Sequence, residues 1–183
     1  MTRIISGSAK GRNLKVPGSA RPTADRVRES LFTALEHRLG TWEGKRVLDL
    51  FSGSGALALE SLSRGAAEAV CVESHRQAAE VIRANAKGVG LPTRVEVRDA
   101  FKFVSAASPS RFDVVFADPP YEDVSDEDLA RLLETLVGRG WVGEGTWLVV
   151  ERSSRRPQLA LPEGALEEEI RRYGDTSVVL ACW

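Results

Sequence analysis

The sequence predicts an α/β fold: a mostly parallel sheet covered by helices, preceded by a small basic extension. Short apolar runs alternate with stretches of helical periodicity, which is the pattern of repeated β-α-β units. The apolar run over residues 46–51 leads directly into a glycine-rich turn. Two further runs near the end, joined through Tyr173, Gly174 and Asp175, predict an antiparallel hairpin.

The first forty residues are predicted to form a hairpin and one helix. Apolar pieces at Ile4 and Leu14 are separated by glycines, which favours a hairpin. Thr23 is a candidate cap for a helix over residues 25–39, which has an apolar residue at every fourth position of one face. We therefore predict a basic extension over residues 1–40 and a main domain over residues 41–183.

The main domain is predicted to contain seven strands and four helices. Apolar runs bounded by glycine, proline and polar turns predict strands over residues 46–51, 69–73, 93–98, 112–117, 146–151, 165–172 and 176–182. Amphipathic spacing predicts helices over residues 56–64, 75–88, 101–106 and 126–138.

The net charge of −1 hides a strong asymmetry. Residues 1–46 contain ten Lys and Arg residues against four Asp and Glu residues, a net charge of +6 that leaves −7 for the remainder. A basic arm on an acidic body predicts a polyanionic partner such as a nucleic acid, although a solvated tail would show the same composition.

Other classes of protein and site find little support. No apolar run approaches the ~18 residues of a membrane span, and no secretory signal is visible at the N-terminus. Cys71 and Cys182 form no disulfide framework, which favours reduced thiols in the cytoplasm. His37 and His75 have no metal-ligand spacing with them. We therefore expect a cytoplasmic protein with no metal.

The turn after the first long strand is a candidate cofactor site. Gly53, Gly55 and Ala58 match the pattern G-x-G-x-x-A at the edge where parallel sheets bind ligands. Glu73 follows twenty residues after Gly53, where a carboxylate can accept hydrogen bonds from a ribose diol. The pair predicts an adenosine cofactor, either a nicotinamide dinucleotide or S-adenosylmethionine. A simple tight turn and a solvated strand end are the alternatives.

Two further carboxylates belong to this prediction. Asp49 lies inside an apolar strand, so it needs donors from the loop or from a ligand cation such as a methionine ammonium. Asp99, with the Ala100 backbone, is placed to face an adenine ring or to cap the next helix. Phe51 and Ser54 complete the candidate cofactor contacts.

The most specific motif is Asp118, Pro119, Pro120 and Tyr121, directly after the fourth long strand. Consecutive prolines form a rigid turn without N–H donors, so Asp118 and the Pro119 carbonyl remain acceptors. Tyr121 offers a ring on which a base can stack. Acceptors beside such a ring suit the exocyclic amine of a nucleobase, whereas an edge loop without a function is the alternative.

Taken in order, these motifs resemble the RsmD family, bacterial methyltransferases that modify guanine N2 of 16S ribosomal RNA with S-adenosylmethionine. The resemblance rests on residues 3–7, 11–12, 21–23, 26–32, 47–57, 63–66 and 118–121, and it is weakest after about residue 150. It implies a class I, Rossmann-like S-adenosylmethionine-dependent methyltransferase domain with a seven-stranded sheet. It also implies an assembled or assembling small ribosomal subunit as substrate.

The same resemblance implies roles for individual residues. Asp49, Gly53 and Gly55 would cradle the methionine part of the cofactor, Glu73 the ribose and Asp99 the adenine. Asp118, Pro119 and Tyr121 would receive the guanine. Residues 21–23 would cover the site, while Arg26 and Arg28 would contact RNA or brace that loop. The predicted RNA-binding set is Arg3, Lys10, Arg12, Arg21, Thr23, Arg26 and Arg28, in a protein that we expect to be monomeric.

Three other functions remain open at this point. A DNA adenine-N6 methyltransferase would use the same Asp118 motif, although the chain is short for a separate recognition domain. A nucleotide-binding oxidoreductase would explain the glycine pattern but not Asp118, Pro119 and Pro120. A non-catalytic RNA-binding module would explain the basic arm alone.

Overall fold

A computed structural model describes residues 2–18, 25–120 and 122–183. The strands are β1 Thr2–Arg3, β2 Asn13–Leu14, β3 Arg46–Leu50, β4 Glu68–Glu73, β5 Arg94–Val97, β6 Val114–Ala117, β7 Trp147–Ser153, β8 Glu167–Tyr173 and β9 Thr176–Cys182. The helices are α1 Asp25–Leu39, α2 Ala56–Ser63, α3 Arg76–Val89, α4 Ala100–Val104 and α5 Asp126–Gly138.

The main sheet has seven strands in the order β5-β4-β3-β6-β7-β9-β8. The first five are parallel, and β9 runs antiparallel to both β7 and β8. The predicted parallel sheet with a terminal hairpin is therefore confirmed. The chain moves from β3 to one side and returns to β6 on the other, so the carboxyl ends of β3 and β6 form the switch point where such sheets bind ligands.

Two hydrophobic clusters cover the two faces of the sheet. One contains apolar residues of α1, α2 and α3 with alternate residues of the strands, and the other contains those of α4 and α5. Helix α1 is part of the first cluster, because the Phe32 ring lies 5.9 Å from Phe116 and 5.3 Å from Trp42. The division expected near residue 40 therefore does not coincide with a break in packing.

The predicted hairpin of the basic extension over residues 1–40, called the arm below, is present and docks on α2. Strand β1 pairs antiparallel with β2. The fully buried Glu60 carboxylate accepts hydrogen bonds from Ile5 N at 2.7 Å and Ser6 N at 3.0 Å. Ser63 Oγ accepts from Ala9 N at 3.0 Å. A freely solvated tail therefore does not describe residues 2–18.

The predicted elements differ from the observed ones mainly at their ends. Strand β6 begins at Val114 and not at residue 112. Just before it, the Asp113 carboxylate accepts a hydrogen bond from Arg46 N at 2.8 Å. Strand β7 continues to Ser153, which pairs with Thr176 of β9. The predicted Thr23 cap lies outside the described residues. No helix within the described ranges is long and apolar enough to cross a membrane.

Candidate active site at the carboxyl edge of the sheet

The glycine-rich turn joins β3 to α2 through an unusual backbone. Phe51 has φ 63°, and it is the one non-glycine residue of the described chain with a positive φ. Ser52 Oγ donates to the Asp49 carbonyl at 2.6 Å, and Gly55 N donates to the Ser52 carbonyl at 2.7 Å. These bonds hold the turn tightly at the N-terminus of α2, where backbone N–H groups favour a polar ligand.

Asp49 is a buried carboxylate facing this turn. Its side chain is 1% exposed, and the Ala58 N–H donates to it. Within the described residues, Asp49 Oδ2 has no hydrogen-bond partner. Burial, with a smaller contribution from the charge of Glu73, raises the pKa of Asp49 to about 8. An acidic oxygen left open in a buried position fits a ligand cation better than a pyrophosphate.

Glu73 is the last residue of β4, and its carboxylate bonds to the glycine-rich turn and to the start of the segment that follows β4. Its Oε2 accepts from Gly53 N at 2.9 Å, and its Oε1 accepts from His75 N at 2.9 Å. The residue is 7% exposed, so it is not a solvated strand end. His75 Nδ1 also lies 3.2 Å from Oε1, whereas Oε2 can accept a second hydrogen bond, so the arrangement remains compatible with a ribose hydroxyl.

Asp99 and its neighbours border the same edge of the sheet. Asp99 Oδ1 accepts from Lys102 N at 3.0 Å, which confirms the helix cap, and Ala100 behind it is buried. The Phe101 ring meets the Phe51 ring edge-on at 6.2 Å. This contact between distant residues, which sequence spacing does not indicate, adds an aromatic side to the region where an adenine is expected.

Asp118 lies at the switch point itself. Leu50 pairs with Ala117, so Asp118 begins where β3 also ends. Asp118 is half-buried, Pro119 is buried and Pro120 is exposed, whereas Tyr121 lies outside the described residues.

Asp118 also lines a narrow cleft that includes a residue sequence analysis missed. Leu31 and Leu57 contribute to its walls, and Glu151 of β7 lines it as well. No local motif marks Glu151, and only the parallel register between β6 and β7 identifies it.

Asn85 is a second residue that sequence analysis missed. Its side chain is buried on α3 and bonds in both directions with the Lys15 backbone, each bond being 2.8 Å long. Asn85 Nδ2 also donates to the Ser54 carbonyl at 3.0 Å. The basic arm is therefore tied directly to the glycine-rich turn.

The arm residues predicted to contact RNA divide into three groups. Arg3, Lys10, Arg12 and Arg26 are exposed. Arg28 is 1% exposed, and its Nη2 donates to the Arg3 carbonyl at 2.7 Å and to Asp25 Oδ1 at 2.6 Å. The predicted RNA contact of Arg28 is therefore wrong, and its guanidinium braces the arm. The predictions for Arg21 and Thr23 fall outside the described residues.

We searched the described part of the chain for clusters of side chains that could bind a metal ion. Among residues 2–18, 25–120 and 122–183, no group of three or more His, Cys, Asp and Glu side chains could hold a metal ion.

Comparison with known proteins identifies close relatives across most of the chain. Ribosomal RNA small subunit methyltransferase D of Escherichia coli K12 is 38% identical over 81% of this chain and 73% of its own length. The solved structure of protein TTHA0928 of Thermus thermophilus is 37% identical and covers 100% of both chains with a TM-score of 0.84.

A more distant structure shares the fold alone. The 16S rRNA N2 G1207 methyltransferase RsmC of Thermus thermophilus, solved with AdoMet and guanosine, is 21% identical over 89% of this chain and 44% of its own. Its TM-score of 0.69 shows that the two proteins share the arrangement of sheet and helices described above.

A family model, described as conserved hypothetical protein 95, matches residues 2–182. Together with the relative from Escherichia coli, this match shows that the chain belongs to the RsmD family.

Proposed function

We propose that the chain transfers the methyl group of S-adenosylmethionine to the exocyclic N2 amine of a guanine in 16S ribosomal RNA. The observation that carries this proposal is the placement of Asp118 and Pro119 on the same sheet edge as Asp49 and Glu73. A turn rich in acceptors, whose two prolines have no N–H group, thus lies beside a set of residues suited to a cationic adenosine cofactor. The name and high identity of the Escherichia coli relative support an rRNA substrate.

The residues at this edge fit S-adenosylmethionine. The open oxygen of Asp49 would hold the methionine ammonium. The N-terminus of α2 would favour the carboxylate of the same moiety. Glu73 would accept from the ribose hydroxyls, and Asp99 with Ala100 would border the adenine. The cofactor supplies an electrophilic methyl group on a sulfonium. A nicotinamide dinucleotide fits less well, because its pyrophosphate would give the buried Asp49 carboxyl no compensating positive charge.

The chain's own contribution to the transfer is to orient the amine. A guanine N2 lone pair is delocalised into the ring, which makes it a weak nucleophile. Accepting its two N–H bonds at Asp118 and the Pro119 carbonyl would direct the lone pair at the methyl group, an orientation effect that lowers the barrier. The S–C bond would break as the N–C bond forms, with neutral S-adenosylhomocysteine as the leaving group. N2 would then pass one proton to water, which leaves a neutral methylated base.

The basic arm would hold the RNA. The target base must leave its stack to enter the cleft, at a cost of a few kcal/mol. Phosphate contacts from the exposed cations Arg3, Lys10, Arg12 and Arg26 would offset that cost. Residues 1–40 would therefore contact RNA and cover the site, and residues 41–183 would carry out the transfer. The substrate would be the assembled or assembling small subunit, bound by a cytoplasmic monomer.

One assay tests the proposal directly. The protein is incubated with tritiated S-adenosylmethionine and with naked 16S rRNA, small subunits or duplex DNA, followed by nucleoside analysis of each product. We expect N2-methylguanosine in rRNA or small subunits. Label in N6-methyladenine of DNA would instead establish the DNA methyltransferase, and cofactor binding without any transfer would leave an RNA-binding module.

A further inference from the structure

A second basic surface lies on the main domain, where α3 ends and β5 begins. Residues 81–95 contain three cations and no Asp or Glu, although the chain after residue 46 carries a net negative charge. Arg83 and Lys87 are exposed and one turn apart on α3, and Arg94 is the exposed first residue of β5. Positive charge is therefore not confined to the arm.

A depression of about 450 Å³ opens between these elements, and its lining includes Arg83, Lys87 and Thr93. Among the described residues, Lys87 has no ion-pair partner. Arg83 pairs with Glu80 at 2.6 Å, but both side chains are exposed. An exposed ion pair contributes little to stability, so a bound anion can displace it. The depression is therefore open to a ligand of negative charge.

The arm extends this surface. Arg12 Nη2 donates to the Gly88 carbonyl at 2.8 Å, which places the guanidinium beside the last turn of α3 and next to Lys87. A guanidinium has five N–H donors, so Arg12 can hold this carbonyl and still reach a ligand. Further along the arm, the exposed Lys15 is fixed to α3 because its backbone bonds to Asn85. Cations of the arm and of α3 thus lie next to one another.

This surface begins at the edge of the sheet opposite to the candidate active site. Helix α3 leaves the carboxyl edge after β4 and ends where β5 starts. Its 14 residues span ~21 Å. A ligand that binds at the end of α3 and also enters the active site must therefore be long, as a polynucleotide is.

The lining suits the backbone of such a ligand better than its bases. Side chains four residues apart on a helix are ~5–6 Å apart, close to the spacing of successive phosphates along an RNA strand. Lys and Arg both bind phosphate. The depression, as far as the structure describes it, has no aromatic ring in its lining on which a base could stack. The expected contact is therefore independent of base sequence.

We infer that Arg83, Lys87 and Arg12 bind backbone phosphates of the RNA substrate at a distance from the target base. This inference rests on the proposed function, and it assigns RNA binding to the main domain as well as to the arm. Distant phosphates then contribute affinity, and the carboxyl edge of the sheet carries out the transfer. The alternative role for these cations is to offset the negative end of the α3 dipole.

The first test measures how the affinity of the full chain for 16S rRNA depends on salt. Each phosphate contact to single-stranded RNA contributes ~0.7 to the slope of log K against log salt, so Arg83→Ala/Lys87→Ala should lower that slope by ~1.4. A slope equal to that of wild type would overturn the inference.

The matched control is Arg131→Ala/Arg139→Ala on α5, which lies on the opposite face of the sheet. Arg131 forms an ion pair with the residue three positions before it, as Arg83 does, and Arg139 lies at the end of its helix, as Lys87 does. Both double variants therefore lose the same kinds of intrahelical interaction and the same charge. The control should keep the wild-type slope, and equal losses in the two variants would overturn the inference.

A single position separates RNA contact from helix capping. Lys87→Ala should lower the slope by ~0.7, and Lys87→Arg, which keeps the charge, should restore it. Helix capping alone predicts a change in Tm with no change in slope, and that result would overturn the inference.

The methylation assay shows whether this inference or the proposed function fails. Arg83→Ala/Lys87→Ala should raise KM for RNA and leave kcat unchanged, because the contact lies far from the reacting atoms. A lower kcat with unchanged KM would overturn the inference while methylation of guanine stood. If the wild type methylates no guanine but the slopes change as expected, the proposed function fails and the phosphate contact stands.

Discussion

The proposed cofactor role of Asp49 would come at the expense of stability. Its carboxyl is buried beside the charge of Glu73, and one of its oxygens has no partner among the described residues. Such a position destabilises the charged form in the absence of a ligand. An ammonium group placed there would restore the charge that burial disfavours. A carboxyl whose burial destabilises the fold would thus be one that the proposed cofactor stabilises.

Asp49→Asn should separate these two effects. The carboxyl ionises near pH 4 when unfolded and near pH 8 when folded, so the folded state binds more protons across that range. The free energy of unfolding of the wild type therefore falls as pH rises from about 4 to about 8, and Asn lacks this dependence. We expect urea denaturation to show the variant gaining stability relative to wild type with rising pH.

The same variant should bind S-adenosylmethionine about 10-fold to 100-fold more weakly, because a hydrogen bond to a charged group contributes roughly 1.5–3 kcal/mol. Calorimetry measures this loss. Unchanged affinity would remove Asp49 from the cofactor site, and a pH profile parallel to that of wild type would contradict the buried titration.

Asp118→Ala should abolish methylation while leaving cofactor binding intact. The side chain lies beyond β6 and lines the cleft, whereas the candidate cofactor contacts follow β3, β4 and β5. We expect the transfer rate to fall at least ~100-fold, since the amine loses an orienting acceptor. Asp123→Ala, an exposed neighbour, is the matched control. Normal turnover by Asp118→Ala would refute the assignment of the acceptor site.

At the scale of elements, the periodicity of the sequence predicted the helices and strands well, but it did not predict the contacts between them. Helix α5 spans the residues expected of it, because its serine cap and leucine spacing are local signals. The burial of Arg28 could not be predicted in the same way, since it depends on the Arg3 carbonyl in another element. Glu151 was equally invisible, because its neighbour Asp118 is set by strand register. The sequence thus indicates which elements form and which motifs follow them, whereas pairing decides the rest of the site.

We expect the docking of the arm on α2 to require a glycine at position 7. A matched pair of alanine substitutions separates the effect of steric clash from that of backbone strain. Gly7 and Gly11 both have φ +81°, so alanine meets the same backbone strain at each position. A Cβ at Gly7 would lie 1.8 Å from the Ser63 carbonyl oxygen, whereas a Cβ at Gly11 has open space. Gly7→Ala should therefore undock the hairpin and lower Tm by several degrees more than Gly11→Ala does.

Hydrogen exchange would locate this effect. The Ile5 and Ser6 amides that donate to Glu60 should lose protection in Gly7→Ala but keep it in Gly11→Ala. Equal protection in the two variants would show that the hairpin does not need close contact with α2.

At the scale of the whole molecule, the charge asymmetry becomes a surface feature of a fixed body. The arm that carries the excess of positive charge is docked on α2 through Glu60 and on α3 through Asn85. Its exposed lysines therefore have defined positions relative to the cleft, unlike charges on a solvated tail. Deleting the arm would also leave Glu60 buried without its amide donors, so truncation would confound RNA binding with folding.

The salt dependence of RNA affinity tests whether the arm contacts RNA phosphates, and it does so without removing the arm. Each phosphate contact to single-stranded RNA contributes ~0.7 to the slope of log K against log salt. Lys10 and Lys15 are exposed on the arm, so the double variant Lys10→Ala/Lys15→Ala should reduce that slope by ~1.4 if both contact phosphates.

The control variant Arg131→Ala/Arg139→Ala removes two exposed cations from α5 and its C-terminal end, on the opposite face of the sheet. Because both double variants change the net charge equally, a long-range effect would shift both slopes alike. If the slope falls only in the arm variant, the RNA binds on the α1–α3 side. If the slope falls equally in both variants, the positive charge of the arm attracts RNA without contacting it at a defined position.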